Sequence, residues 1–141
     1  MIKQYSLLII VACLLSCNSD KNQPSYSKDT SELQQSINRG EVVYNDLCVT
    51  CHLPNGKGVP KTFPPLAESD YLEQYQVESI KSVKYGMKGE IVVNGVTYNN
   101  VMAPMGLSDA EVADVMNYIN NAWGNQIGNF ITEDEVSKIQ P

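Results

Sequence analysis

Cys48, Val49, Thr50, Cys51 and His52 put two thiols and an imidazole next to one another in the chain. Two thiols at this spacing share one helical turn. Each can add across one vinyl group of a haem, and the adjacent imidazole then lies under the ring, where it can ligate iron. Cys-x-x-Cys-His is the spacing of that covalent attachment. Thioether bonds are permanent, so a haem held this way is not lost to the surroundings. Other chemistries fit less well. A thioredoxin-type redox pair needs a preceding strand in a βαβ context, whereas this pair ends a helical pattern. Structural zinc needs four ligands, usually Cys and His. A disulfide between Cys48 and Cys51 would leave His52 unexplained.

His52 is the only histidine. That excludes bis-histidine ligation and a second haem of the same kind. The sixth ligand must be methionine, lysine, the amino terminus, water, or nothing. A thioether is a soft donor that favours ferrous iron and raises the potential. Met116 falls on the apolar face of a helix, where packing accounts for it. Met87 follows Gly86 at a helix end and could pack or ligate. Met102 and Met105 lie in a loop, from which a side chain can be aimed at iron.

The elements that must position these groups are mostly helical. Asp29 and Glu32 have capping-box spacing. After them Leu33, Ile37, Gly40, Tyr44, Leu47 and Cys51 recur at three- and four-residue intervals, as on one helix face. A glycine within that face costs helix stability, which suits a close approach by another backbone. Pro54 to Ala67 holds four prolines and two glycines and predicts no regular element. Ser69-Asp70 opens a further helix with Leu72, Tyr75, Val77, Ile80 and Val83 as apolar positions and Gly86 as its stop. Ile91–Val93 and Val96–Tyr98 around Asn94-Gly95 predict a hairpin on a type I′ turn. Ser108 with Glu111 caps the last long helix, whose apolar face is Val112, Val115, Met116, Ile119 and Trp123. Thr132 and Glu135 can cap a short terminal helix. A chain with so much loop has a thin core and benefits from a cofactor as a staple.

The amino-terminal sixteen residues read as an export signal. Lys3 precedes an apolar run from Leu7 to Ser16 that is too short to span a bilayer but suits a signal-peptide core. Leu14-Leu15-Ser16-Cys17 resembles a bacterial lipobox, which makes Cys17 the acylated first residue of the mature chain. Residues 17–28 are polar and read as a flexible tether, 29–126 as one domain, and 127–141 as a C-terminal extension with a solvated end. The net charge of −6 argues against nucleic acid and against a polybasic membrane patch. Lys81, Lys84 and Lys88 can form a basic stripe, with Lys57 and Lys61 near the Cys-His motif. A solvated helix face is the more economical account of them.

From Ile37 to Asn125 the chain resembles a class I cytochrome c, most of all the bacterial subgroup found as small lipoproteins or as domains of oxidases, nitrite reductases and dehydrogenases. The resemblance rests on the Cys-His motif, Gly40 to Tyr44, Gly56 to Pro60, Phe63 to Leu72, Asn94-Gly95, Tyr98 to Met102, Leu107 to Glu111 and Trp123-Gly124-Asn125. It implies an all-α cytochrome c fold, with three main helices around one haem and a small β-hairpin before the axial-methionine loop. It implies haem c bound through Cys48 and Cys51, His52 as one iron ligand, and the Pro64 carbonyl accepting a hydrogen bond from the far nitrogen of His52. It also implies that Gly40 and Tyr44 mark where the first helix crosses the last, near Tyr118. The family's axial methionine opens a Met-Pro loop, which by position is Met102. Here Ala103 stands where that proline is usual, and Pro104 precedes Met105, the alternative ligand.

The expected function is single-electron transfer between redox partners at the bacterial cell envelope, by a carrier rather than an enzyme. Partners would be a terminal oxidase, reductase or dehydrogenase, with the lipid on Cys17 holding the chain at a membrane on the periplasmic side. Two alternatives are a haem ligand-binding or sensor protein (or low-activity haem enzyme) with a displaceable sixth ligand, and a dedicated cytochrome subunit of a dehydrogenase or reductase complex.

Overall fold

A computed structural model describes residues 26–141, with side chains from Thr30 onward. The expected signal peptide and Cys17 lie outside the described residues. Helices α1 (Tyr26–Leu47), α2 (Val49–His52), α3 (Asp70–Gln74) and α4 (Gln76–Tyr85) come first. Strands β1 (Ile91–Val93) and β2 (Val96–Tyr98) follow, then α5 (Asp109–Asn121) and α6 (Glu133–Ser137). The two strands form an antiparallel hairpin, so the expected all-α fold with one small hairpin is observed.

Helix α1 is described from Tyr26, so Asp29 lies within the helix rather than at its first residue, and the described helix takes in the last three residues assigned to the tether. Its buried line is Ser36, Gly40 and Tyr44, while Leu47 is exposed. Spacing by four residues along an α-helix keeps these three on one face. The face is set by what α5 offers. A Cβ on Gly40 would stand 1.9 Å from the Asp114 carbonyl oxygen, so the two backbones meet where the side chain is missing. Around that crossing Ser36 Oγ donates to Asp114 Oδ1 (2.6 Å), and Arg39 Nε and Nη2 donate to the same carboxylate (2.6 and 2.7 Å). The Tyr44 ring packs against Tyr118 and Trp123, with centroids 5.4 and 5.0 Å away.

The single helix expected after Ser69 is two. Ser69 caps α3 by accepting from the Leu72 amide (3.3 Å), and α3 ends at Tyr75 with ψ at 56°. Gln76 then donates its side-chain amide to the Leu72 carbonyl and pairs with Asn120 on α5. The break turns Tyr75 and Val77 outward, 47% and 59% exposed, while Leu72 and Ile80 enter the core as expected. Helix α4 stops at Gly86, whose φ of +75° a side chain would resist.

Three sequence signals correspond directly to structure. Asn94 and Gly95 both have positive φ (49° and 74°), the type I′ requirement, and the register pairs Ile91 with Tyr98 and Val93 with Val96. Ser108 with Glu111, and Thr132 with Glu135, each form a reciprocal capping box. Val112, Val115, Met116 and Ile119 of α5 are buried together with Tyr44, Leu72 and Ile80.

Residues 127–141 are mostly exposed but are anchored to the domain at a few points. Ile131 and Val136 join the core, and Asn117 holds both polar groups of the Ile131 backbone. Lys84 Nζ donates to the Val136 carbonyl (2.9 Å) and pairs with Asp109 (2.8 Å), and Tyr85 donates to the Ile139 carbonyl (2.9 Å). Lys84 departs from the expected solvated helix face, since it is spent on these internal contacts. Among the described residues no helix is long and apolar enough to cross a membrane.

Candidate haem site

Cys48 sits at the amino end of α2, one residue past α1, and Cys51 and His52 occupy its last turn. The Cys51 and His52 amides donate to the Cys48 carbonyl (3.2 and 3.0 Å), which fixes the three side chains relative to one another. Both thiols are free and half-buried. Burial, and then the neighbouring Cys51, pushes the Cys48 thiol up to about 11. Redox-active dithiols depend on the opposite shift, a thiol pulled down toward neutrality. The electrostatics thus disfavour a thioredoxin-like role for the pair.

The loop after α2 is folded back by its glycines. The Gly58 amide donates to the His52 carbonyl (3.0 Å), and Val59 and Phe63 exchange backbone hydrogen bonds (2.9 and 2.8 Å). A Cβ on Gly58 would stand 2.3 Å from the Phe63 carbonyl oxygen and 2.5 Å from that of Pro64. This close approach brings the Pro64 carbonyl to 3.1 Å from His52 Nδ1, the contact the resemblance implies. A carbonyl only accepts, so Nδ1 carries the proton and Nε2 keeps its lone pair for a metal. Burial lowers the pKa of His52, outweighing the Pro64 carbonyl, and so favours the neutral imidazole that ligation requires.

His52 faces a cavity in two connected parts. The inner part, about 80 Å³, is bordered by Cys48, Leu72, Val83, Met116 and Ile119. The outer part, about 270 Å³, is bordered by Cys51, Phe63, Tyr98, Val101 and Met105. Five residues border both: His52, Pro64, Met87, Ile91 and Met102. The two thiols therefore flank different parts of one apolar slot, with an imidazole and two thioethers, Met87 and Met102, common to both. A flat, largely apolar group tied at two edges and ligated on its faces matches this donor set.

Of the methionines singled out in the sequence, Met102 borders both parts of the slot and Met105 only the outer one, where it is 36% exposed. Met116 is wholly buried in the core. Met87 shares both parts with Met102, and the two residues form an isolated antiparallel bridge with backbone N–H···O contacts of 2.8 and 2.9 Å. Nothing in the spacing of the chain announced that bridge, because it joins irregular segments. Asn125 is a second residue whose part the motif does not explain. Buried beneath the loop, it donates to the Leu66 and Ile119 carbonyls (2.9 and 2.8 Å) and accepts from the Glu68 amide (2.8 Å). Trp123 closes the loop from outside, its Nε1 donating to the Pro54 carbonyl (3.0 Å) and its ring lying where a Cβ on Gly56 would be.

A helical fold wrapped round one Cys-x-x-Cys-His segment that borders an apolar slot defines a mono-haem c-type cytochrome, an electron-transfer protein. The chain belongs to the cytochrome c family, whose model matches residues 37–123. It is 39% identical over 102 residues to a cytochrome c-552 of Thermus thermophilus, covering 66% of this chain and 78% of that one. It is also 29% identical over 112 residues to the cytochrome c subunit of the quinone alcohol dehydrogenase of Gluconobacter oxydans, 73% of this chain but 22% of that subunit. The corresponding subunit of Komagataeibacter europaeus is 29% identical over 129 residues, again matching a minor part (26%) of its length. Membership carries a covalently bound haem c, and Cys48 and Cys51 have the spacing for it.

Proposed function

We propose that Cys48 and Cys51 hold the haem through two thioethers, that His52 and Met102 are the axial iron ligands, and that the chain is a lipid-anchored carrier rather than an enzyme. The observation that supports Met102 over Met105 is the shared position of His52 and Met102 on both parts of the slot, against the one-sided position of Met105; Met87 shares that position too, and the choice of Met102 over Met87 rests on the resemblance. When bound, the haem supplies the ferric–ferrous couple. The chain's own residues do the rest. Pro64 holds the His52 ring plane and its tautomer, as a partner behind a metal ligand does. Leu72, Val83 and Ile119 keep water from the inner edge, and burial of this kind shifts a haem potential. With His52 and Met102 kept as donors in both oxidation states, the reorganisation cost of electron transfer would be low.

The site of action is the periplasmic side of the cell envelope, with the lipid on Cys17 confining the search for redox partners to a membrane surface. A terminal oxidase, reductase or dehydrogenase would meet the outer part of the slot, where Val101 is exposed. A second reading, a fixed cytochrome subunit of a dehydrogenase complex, draws support from the relatives that are subunits of quinone alcohol dehydrogenases. Sedimentation of a detergent extract of native membranes separates the two, since a free carrier runs alone.

The ligand assignment is tested by spectra of the full chain made with a cytochrome c maturation system. Wild type and Met105→Leu should show the weak red band of ferric iron bound to thioether sulfur, and Met102→Leu should lose it. Retention of the band in Met102→Leu would reject Met102. A wild-type haem that is high-spin and takes up CO readily would instead favour the ligand-binding alternative. Mass spectrometry of the native amino terminus tests the anchor: a diacylglyceryl group on Cys17 is expected, and a bare mature terminus at another residue would exclude it.

A further inference from the structure

Met102 lies between β2 and α5, outside any helix or strand, so its backbone is not held by a regular element. Helix α4 ends at Gly86, and the next residue pairs with Met102 in both directions: Met87 N–H donates to the Met102 carbonyl (2.8 Å), and Met102 N–H donates to the Met87 carbonyl (2.9 Å). Residues exchanging both hydrogen bonds across an antiparallel pair sit directly opposite, with side chains on the same face. Met87 accordingly borders the same two parts of the slot as Met102.

Gly86 makes this pairing possible. A Cβ there would stand 2.6 Å from the Met102 carbonyl oxygen, 2.8 Å from the Pro104 nitrogen and 2.9 Å from the Pro104 ring. All three contacts are with the methionine loop, and two of them are with backbone atoms that cannot swing aside. The φ of +75° adds a preference against any side chain. One glycine thus both turns the chain out of α4 and lets the loop lie against it.

We infer that Gly86 and Met87 form a main-chain latch that positions the Met102 thioether for iron. The latch rests on Met102 being the axial ligand. Holding the loop by two backbone hydrogen bonds restricts the thioether without contributing a donor of its own. Release of Met102 from iron and opening of the bridge are then linked equilibria, so whatever favours one favours the other by the same factor.

The test compares Gly86→Ala with Gly128→Ala in the haem-loaded full chain. Gly128 has a φ of +69° and nothing within 4 Å of a Cβ, so its substitution carries the backbone strain without the contact. Gly86→Ala is expected to weaken or abolish the red thioether band and to raise the affinity of the ferric protein for imidazole by about tenfold or more, equivalent to about 1.4 kcal/mol. Gly128→Ala should leave both unchanged, whatever it does to the melting temperature. Equal imidazole affinities in Gly86→Ala and wild type would overturn the latch.

A measurement on wild type keeps the proposal falsifiable should Gly86→Ala not mature. The Met87 and Met102 amides should exchange slowly with solvent and together. Saturating imidazole should speed both by about tenfold, by the same linkage. Continued protection with imidazole bound would also overturn it. If Met102→Leu keeps the red band, the ligand assignment fails first, and the latch loses its object. If Met102→Leu loses the band while Gly86→Ala behaves as wild type, only the latch fails.

Discussion

Replacing Gly40 by alanine sets two effects of known sign against each other. Within a helix, Gly→Ala is favourable by about 1 kcal/mol, because glycine gives up more backbone freedom on folding. Against this stands the crossing of α1 and α5, where the new methyl would lie 1.9 Å from the Asp114 carbonyl oxygen, 2.5 Å from its carbon and 2.9 Å from Tyr118 Cβ. The first two are backbone atoms of a helix, so relief requires the helices to separate by roughly 1 Å in a region packed like a molecular crystal. Overpacking of this kind costs about 1–3 kcal/mol. Separation also stretches the buried contacts of Ser36 with Asp114 (2.6 Å) and of Asn117 with Ser36 (2.9 Å), each worth about 1 kcal/mol. The contact terms outweigh the propensity term, and a net loss of about 2–3 kcal/mol follows. Urea unfolding of haem-loaded wild type and Gly40→Ala, followed by far-ultraviolet circular dichroism, should show a lower midpoint at unchanged slope. A variant more stable than wild type would refute the reasoning, since it would mean the helices yield at little cost and propensity decides.

Asn125→Ala removes a side chain that is 5% exposed and satisfies three backbone groups, those of Leu66, Glu68 and Ile119. A loss of about 3 kcal/mol is expected in the same unfolding assay, with Asn125→Ser partly restoring it. The α5 capping box makes stability depend on pH. The Ser108 backbone amide, and then its hydroxyl, holds the Glu111 carboxyl below its ordinary value. A depressed carboxyl contributes its full share above the ordinary glutamate value, and that share is lost as pH falls through the lower folded value. Melting temperatures taken between pH 6 and pH 3 should therefore fall less steeply in Glu111→Gln than in wild type, and parallel curves would count against the box.

The half of the site nearest the Cys-His motif is legible in the sequence because it is local. Cys48, Cys51, His52 and Pro64 lie within one short stretch, and the glycines that fold the loop are visible as glycines. The hairpin and both capping boxes were equally plain, since each depends on residues a few positions apart. What escaped depends on partners far along the chain. The buried face of α1 follows Ser36, Gly40 and Tyr44 rather than Leu33 and Leu47, because Asp114 offers Ser36 an acceptor that no periodicity reveals. The break at Tyr75 depends on Gln76 finding Asn120 on α5. Lys84 reads as a surface charge until Asp109 and the Val136 carbonyl are seen beside it.

The same division separates His52 from Met102. His52 is fixed by the helix that carries it and by Pro64, twelve residues on, so its geometry survives any change that leaves that loop intact. Met102 reaches the slot from a separate segment, and its backbone is held by a residue beyond α4. Loop closure over a longer stretch costs more entropy, and a contact made through two hydrogen bonds opens more easily than a packed helix. On the proposed ligation, the thioether would therefore be the removable ligand and the imidazole the permanent one. With the haem attached covalently beside that imidazole, loosening the Met102 side would change the potential and the access of other ligands without loss of the cofactor.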